Sequence, residues 1–290
     1  MKPSNTLLFL IPTLIWGSTF YAIKFQVGVV PPLWSVSYRF VLAGILLLAY
    51  CRIARINLRY SRRTHLRMIM QGALLFGINY WLVYLAEIEL TSGLVAVAFS
   101  CLIFTNIIFG TLILKRKTDG KVYVGAALGF MGTVLLFYQD FKGIRFEDLP
   151  MDSLIFCGLS VIVASLGNIT SAANQSHKIP VVQSNAFGML YGGILMGIVG
   201  FLSGAPVLFI TTPEYIGSLI YLAVFGSIIA FGGYLTLIGK IGPDRAAYVL
   251  VTFPIIAIGL SVLFEGFIIS LLAIVGMVLI LGGNLLVLKK

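Results

Sequence analysis

Long apolar segments dominate the chain and come in two sets of five, one within residues 5 to 139 and the other within residues 152 to 288. The two sets resemble each other when one is shifted by about 150 positions. Because five is an odd number, a second copy that begins where the first ends would enter a membrane from the opposite side. The sequence therefore predicts a duplicated membrane protein whose halves are inverted relative to each other.

Composition agrees with this prediction, because 59% of the residues are hydrophobic and only 10% are charged, which is far too apolar for a soluble domain. About 20 apolar residues cross the hydrocarbon core as a helix, and the long runs exclude a β-barrel. We predict an all-α membrane protein of ten transmembrane helices in two inverted five-helix repeats. The predicted spans are 5–27, 32–51, 66–88, 92–114, 121–139, 152–174, 182–203, 213–239, 245–264 and 267–288. The first repeat would cover residues 1–140, an outer connecting loop 141–151, and the second repeat 152–290.

Three landmarks support the duplication because they recur in order. They are Trp16-Gly17-Ser18 with Leu166-Gly167-Asn168, Tyr84-Leu85 with Tyr234-Leu235, and Gly125 and Gly132 with Gly276 and Gly283. The two glycines of each pair are about two helical turns apart and share a face, where we expect close helix packing.

Charge predicts the orientation, because short loops rich in Lys and Arg remain in the cytoplasm. With both termini cytoplasmic, most of the 20 basic residues fall on the inner side. The densest group is Arg52, Arg55, Arg59, Arg62, Arg63 and Arg67. Topology is sufficient to explain this group, and binding of anionic inner-leaflet lipid is the alternative. The net charge of +10 is thus a property of a membrane protein, and we expect no nucleic-acid partner.

The run from Trp16 to Lys24, followed by Pro31-Pro32 and Tyr38-Arg39-Phe40, resembles the opening of EamA-type members of the drug/metabolite transporter superfamily. The second copy carries similar features in Pro254, Leu263-Phe264-Glu265, Gly276 and Gly283. In the first copy Lys115 and Arg116 stand at the place of Glu265, so any role of that acid would be confined to the second half. The resemblance implies a ten-helix inverted-repeat fold in the bacterial inner membrane. It also implies movement of a small metabolite, often export of an amino acid or related solute.

Arg39 is a candidate substrate ligand because it lies about 12 Å below the outer edge of its span, where a lone guanidinium is costly. It could bind a substrate carboxylate through two parallel hydrogen bonds. Alternatively, it forms a fixed pair with Glu265, Glu89 or Glu87, or bonds to carbonyl groups. Both interpretations require a partner close to the guanidinium.

Other polar and aromatic residues at or near mid-depth are further candidates for a cavity between the halves. We predict substrate contacts from Trp16, Asn79, Tyr80, Tyr84, Asn168 and Tyr234. The alternatives are anchoring at the membrane interface for the aromatic residues and hydrogen bonding between helices for the amides. Gly17, Gly167 and Pro254 are candidate hinges, although Gly and Pro are also common in membrane helices for packing reasons.

The acidic residues indicate how transport is coupled to energy. Glu87, Glu89 and Glu265 fall near outer ends of spans and Asp244 near an inner end, so none is at mid-membrane. We therefore predict facilitated diffusion, with a proton-coupled drug or nucleotide-sugar carrier as the alternative.

Neither enzymatic chemistry nor a metal site is expected. His65 and His177 lie in predicted inner loops without metal-ligand spacing, and Cys51, Cys101 and Cys157 lie in three different spans. We predict no cofactor, and the expected partners are a small-molecule substrate and membrane lipid.

Overall fold

The computed structural model describes residues 4–23, 25–28, 30–90, 95, 98–136, 138, 150–264 and 270–288. Ten main helices fall within these residues: α1 Asn5–Ile23, α2 Pro32–Ile53, α3 Arg62–Ala86, α4 Leu102–Leu114, α5 Gly120–Leu136, α6 Met151–Ser176, α7 Val181–Leu202, α8 Pro213–Ile241, α9 Tyr248–Phe264 and α10 Leu271–Leu288. A four-residue helical turn, Pro243–Ala246, separates α8 from α9. The prediction of an all-α protein is confirmed for the described part of the chain.

Five of these helices, α2, α3, α6, α7 and α8, are long and apolar enough to cross a membrane. Helices α4, α5 and α10 are shorter apolar helices. The predicted start of the fourth span, residue 92, lies outside the described residues; helix is described from Ala98, with the regular α-helix running from Leu102 to Leu114. Ten crossings and the inverted arrangement stay predictions.

Local sequence explains where several helices begin. Ser61 caps α3, its side chain accepting a hydrogen bond from the backbone N–H of Thr64 at 3.3 Å. Thr212 caps α8 by accepting a bond from the backbone N–H of Tyr215 at 3.4 Å, and the first residue of α8 is Pro213. Helix α2 likewise starts with a proline, which lacks the N–H that would be unpaired there.

The two halves pack on each other reciprocally. Helix α2 packs along α7, and α5 packs along α10. Helix α1 packs on α8 and α9 of the other half, and in the same way α6 packs on α3 and α4. Each half therefore supplies the first helix that covers the third and fourth helices of the other.

A π-helical segment interrupts both α3 and α8. These segments are Ala73–Ile78 and Leu222–Ile229, and they occupy corresponding places in the two halves. The sequence did not predict them, because the apolar residues of both segments also fit an α-helix. Each π turn shifts the register of the residues that follow it, and such turns are frequent at functional sites.

Helices α5 and α10 touch through the glycines that the sequence singled out. An ideal Cβ on Gly276 would lie 2.5 Å from the backbone oxygen of Gly132 and 2.8 Å from the backbone nitrogen of Leu136. An ideal Cβ on Gly283 would lie 2.8 Å from the backbone oxygen of Gly125. The two backbones are close enough that no larger residue fits between them without a shift of one helix.

We predict that Gly276→Ala lowers the melting temperature of the protein in detergent. The added methyl group would meet backbone atoms of α5, and overpacking of this kind costs about 1–3 kcal/mol. Gly282→Ala is the matched control, because no atom lies within 4 Å of an ideal Cβ at that position. Thermal unfolding followed by circular dichroism would contradict the packing account if both variants melted at the wild-type temperature.

Candidate functional site

A cavity lies between the two halves, lined by residues of α1, α3, α4, α6, α8 and α9 together with Phe99. The cavity volume is about 70 Å³. Its lining consists of Trp16, Thr19, Ile23, Leu75, Asn79, Tyr80, Val83, Phe99, Leu102, Ala164, Asn168, Phe231, Tyr234, Leu250 and Phe253. The lining is thus mostly apolar and aromatic, with a small number of hydrogen-bonding groups.

Aromatic rings of α1 and α8 form one wall of this cavity. The Trp16 indole meets Phe231 edge-to-face at 5.0 Å and Tyr234 at 5.1 Å between ring centroids. The indole N–H of Trp16 donates a 3.1 Å hydrogen bond to the backbone oxygen of Gly226, in the π-helical part of α8. Because this N–H is occupied, Trp16 offers a solute its ring surface.

The amide of Asn79, a residue that lines the cavity, is oriented by its own helix. Its Nδ2 donates to the backbone oxygen of Leu75 at 3.3 Å, and a carbonyl can only accept. This contact fixes the orientation of the amide. The Oδ1 of Asn79 is buried and has no hydrogen-bond partner among the described residues.

The amide of Asn168 is oriented through a chain of hydrogen bonds. Asn106 Nδ2 donates to the backbone oxygen of Pro243 at 2.9 Å, so Asn106 must present its Oδ1 to the other side. That oxygen accepts a 2.7 Å bond from Ser165 and a 3.5 Å contact from Asn168 Nδ2, which also donates to the Tyr234 hydroxyl at 3.1 Å. The Oδ1 of Asn168 therefore has no partner in the described structure and is a second acceptor.

Arg39 of α2 is fully buried next to the cavity. Its Nε donates a 3.0 Å hydrogen bond to the Ser227 hydroxyl, and its guanidinium carbon lies 4.4 Å from the ring centroid of Tyr80. Gly226 makes room for the guanidinium, since an ideal Cβ there would lie 3.2 Å from Nη2. Arg39 Nη1 has no hydrogen-bond partner among the described residues.

The alternative of a fixed ion pair at Arg39 can be checked against Glu87 and Glu89, which the structure describes. Within the described residues the guanidinium has no carboxylate within ion-pair distance. Glu89 accepts a 2.6 Å hydrogen bond from Ser153, and Glu265 lies outside the described residues. Glu87 is described as well and is not within ion-pair distance of Arg39. The partners found, a hydroxyl and an aromatic ring, are not those that the sequence predicted.

The structure brings most of the predicted contact residues together. Trp16, Asn79, Tyr80, Asn168 and Tyr234 all line the cavity. Arg39 and Tyr84 lie outside the lining, although Arg39 contacts the Tyr80 ring that forms part of it. Their roles in binding stay predictions.

The predicted hinge residues are found at close helix contacts. An ideal Cβ on Gly17 would lie 2.7 Å from Cβ of Ile256 in α9, and one on Gly167 would lie 2.5 Å from Cγ of Leu75. Pro254 is buried inside α9. The two glycines thus have a packing role whether or not they flex.

Asn106 and Ser227 were missed from the sequence. A polar side chain within the apolar run of α4 was a usable signal for Asn106, of the same kind that pointed to Asn79. Ser227 gave no such signal. It reaches Arg39 from a π-helical segment, where it also donates to the backbone oxygen of Leu222 at 2.9 Å.

Comparison with known proteins gives a family and a fold. The EamA-like transporter family matches the chain twice, over residues 4–138 and 152–289. The chain is 28% identical to the uncharacterized inner membrane transporter YedA of Escherichia coli K12, over 84% of this chain and 78% of that protein. It is 24% identical to the probable amino-acid metabolite efflux pump of the same strain, over 98% of this chain and 94% of the other.

A solved crystal structure of 19% sequence identity covers 97% of this chain, and this chain covers 95% of it, with a TM-score of 0.78. That likeness supports the fold alone. The family matches extend over both halves and confirm the resemblance seen in the sequence. The chain belongs to the EamA-like transporter family.

Proposed function

We propose that the protein carries small amino-acid-like metabolites out across the bacterial inner membrane by facilitated diffusion and alternating access. The observation that carries this proposal is the cavity between the halves, with two unpaired amide oxygens and a buried guanidinium beside it. An ammonium group is the kind of donor that the oxygens of Asn79 and Asn168 would accept. A carboxylate is the natural partner of Arg39, whose Nη1 is available.

Alternating access is supported by the reciprocal packing of the helices. Residues from both halves line one cavity, and the two family matches divide the chain into two similar parts. We infer ten spans in two inverted repeats, with the solute site where the repeats meet. Rocking of one set of helices against the other would then open the cavity to each side in turn.

The facilitative mechanism is supported by the chemistry of the lining. No Asp or Glu is found among the residues that line the cavity in the described structure. Proton-coupled carriers generally place a carboxylate in the membrane to bind and release the proton. Without one at the cavity, the solute gradient itself would drive transport.

The direction and the cargo rest on similarity. One relative has the name of a probable amino-acid metabolite efflux pump, and the relative YedA is named an inner membrane transporter. Together with the inward bias of basic residues, this supports an exporter with both termini in the cytoplasm.

Flux of labelled amino acids in proteoliposomes that contain the purified protein tests this function. We expect saturable, substrate-specific uptake with or without a pH gradient, because a carrier can run in both directions. Uptake that requires the gradient would overturn the facilitative mechanism. Absence of uptake for every amino acid would overturn the proposed cargo.

The second prediction concerns Arg39. We expect Arg39→Gln, which keeps a polar side chain but is shorter and removes the charge, to weaken the apparent affinity for a transported amino acid about 30-fold or more. The apparent affinity for the decarboxylated amine of the same amino acid, measured by competition, should fall much less. Ser227→Ala is the control, because it removes the Nε partner but leaves the cation in place. Equal losses for the acid and the amine would show that Arg39 is structural.

The third prediction separates binding from support in the two kinds of asparagine. Asn79→Leu should reduce apparent solute affinity with little change in melting temperature, because Asn79 bonds only to its own helix. Asn106→Leu should lower the melting temperature, because it removes the bond to the Pro243 oxygen and leaves the buried Ser165 hydroxyl without its acceptor, at about 1–3 kcal/mol for such a buried group. Thermal unfolding and flux measurements on both variants test this prediction. Similar effects of the two variants on stability would contradict this division.

A further inference from the structure

Six of the ten arginines in the chain lie within residues 52 to 67, and none of the ten lysines does. This stretch, from the end of α2 into the first turns of α3, also contains no acidic residue. On the rest of the predicted inner side lysine prevails, as in Lys115, Lys117, Lys121, Lys178 and Lys240. The positive-inside rule does not distinguish Arg from Lys. Recognition of phosphate groups does, because the planar guanidinium can donate two parallel hydrogen bonds.

Five of these arginines, Arg52, Arg55, Arg59, Arg62 and Arg63, are exposed; we call them the arginine cluster. None of the five forms an ion pair with a described carboxylate. Their charges are therefore available to an anion from outside the protein.

Exposed apolar side chains continue from the arginine cluster along both helices. On α2 they are Tyr50, 55% exposed, and Ile53, 83% exposed. On α3 they are Leu66, Ile69 and Met70. Leu66 lies three residues after Arg63, and Met70 lies four residues after Leu66, so the three side chains share one face of α3. A molecule bound here would meet cations at one end and an apolar surface at the other, which is the layout of a phospholipid.

The segment that carries the arginines is held in a defined shape. His65 meets the ring of Phe187 in α7 at 4.8 Å, and its Nδ1 lies 2.9 Å from the Tyr191 hydroxyl. Tyr60 adds a further ring contact to Phe187. Between these aromatic contacts, Ser61 caps α3. The arginine cluster is thus anchored on α7.

The turn at the end of α2 places an arginine of the cluster in a left-handed conformation. Arg55 has a φ of 54°, in the left-handed region that favours glycine, and Ile56 N–H bonds to the Cys51 oxygen across the turn. In the corresponding turn after α7, Gly204 has a φ of 73°, and the backbone N–H of Ala205 bonds to the Gly200 oxygen. In the second half a glycine therefore adopts the left-handed conformation that this turn requires. Arg55 is one of three described non-glycine residues with positive φ, together with Lys115 and Lys178, which follow α4 and α6.

We propose that the arginine cluster and the adjoining apolar residues of α2 and α3 bind an anionic phospholipid of the inner leaflet. The guanidinium groups would hold the headgroup phosphate, and the acyl chains would lie along Leu66 and Tyr50. The placement of this lipid in the inner leaflet depends on the predicted orientation of the chain. The recognition of an anionic phospholipid by the arginine cluster does not depend on that orientation. The site is separate from the transport cavity.

Native mass spectrometry of the purified protein, titrated with phosphatidylglycerol and with phosphatidylcholine, tests this proposal. We expect the wild type to bind phosphatidylglycerol at least about tenfold more tightly. The triple variant Arg59→Gln, Arg62→Gln, Arg63→Gln should lose that preference. The control, Lys115→Gln, Lys117→Gln, Lys121→Gln, removes the same charge elsewhere on the predicted inner side and should keep it.

Two further variants separate specific binding from charge and from folding. The charge-preserving triple Arg59→Lys, Arg62→Lys, Arg63→Lys should bind phosphatidylglycerol several-fold more weakly than the wild type. Arg55→Gly should weaken lipid binding while it leaves the melting temperature in lipid-free detergent unchanged or higher. The proposal is overturned if the two glutamine triples lose affinity equally, if the lysine triple binds as the wild type does, or if the wild type shows no preference.

Discussion

Inside a bilayer an unpaired backbone N–H or C=O group costs several kcal/mol, and this cost governs how a transporter of this size can make room for a solute. Regular helices satisfy the backbone but leave little freedom to place side chains. The two π-helical segments provide that freedom without giving up helical hydrogen bonding. One ends immediately before Asn79 and Tyr80, and the other supplies the Gly226 oxygen and the Ser227 hydroxyl. The cavity and the Arg39 environment both depend on these two interruptions.

Backbone carbonyl oxygens orient the amide side chains at the cavity, because a carbonyl oxygen can accept a hydrogen bond but never donate one. The backbone oxygens of Leu75 and Pro243 accept only, so each fixes one end of an amide. From Pro243 the constraint passes through Asn106 to Asn168. The orientations of both amides are thus fixed before any solute arrives, and preorganisation of this kind reduces the entropy lost on binding.

Much of this arrangement followed from the sequence, and the remainder has identifiable reasons. Hydropathy gave the helical class, and the spacing of Gly125 and Gly132 with Gly276 and Gly283 pointed to the close α5–α10 contact. Depth and polarity selected five of the residues that line the cavity. The partner of Arg39 could not be predicted, because sequence shows which acids exist but not which face of a helix meets the guanidinium. A serine in π-helical register is still harder to foresee, because the apolar pattern around it fits an α-helix equally well.

The reciprocal packing of the halves has a consequence for biogenesis. Helix α1 leaves the ribosome long before α8 and α9, the helices against which it packs. Until α8 and α9 have been made, the face of α1 that carries Trp16 can contact only lipid or earlier helices. The Trp16 indole N–H then lacks its acceptor, the Gly226 oxygen. Contacts between such distant parts of a chain form late and slowly. The membrane insertion of the first half is therefore separable in time from its folding, which must wait for the second half to be synthesised.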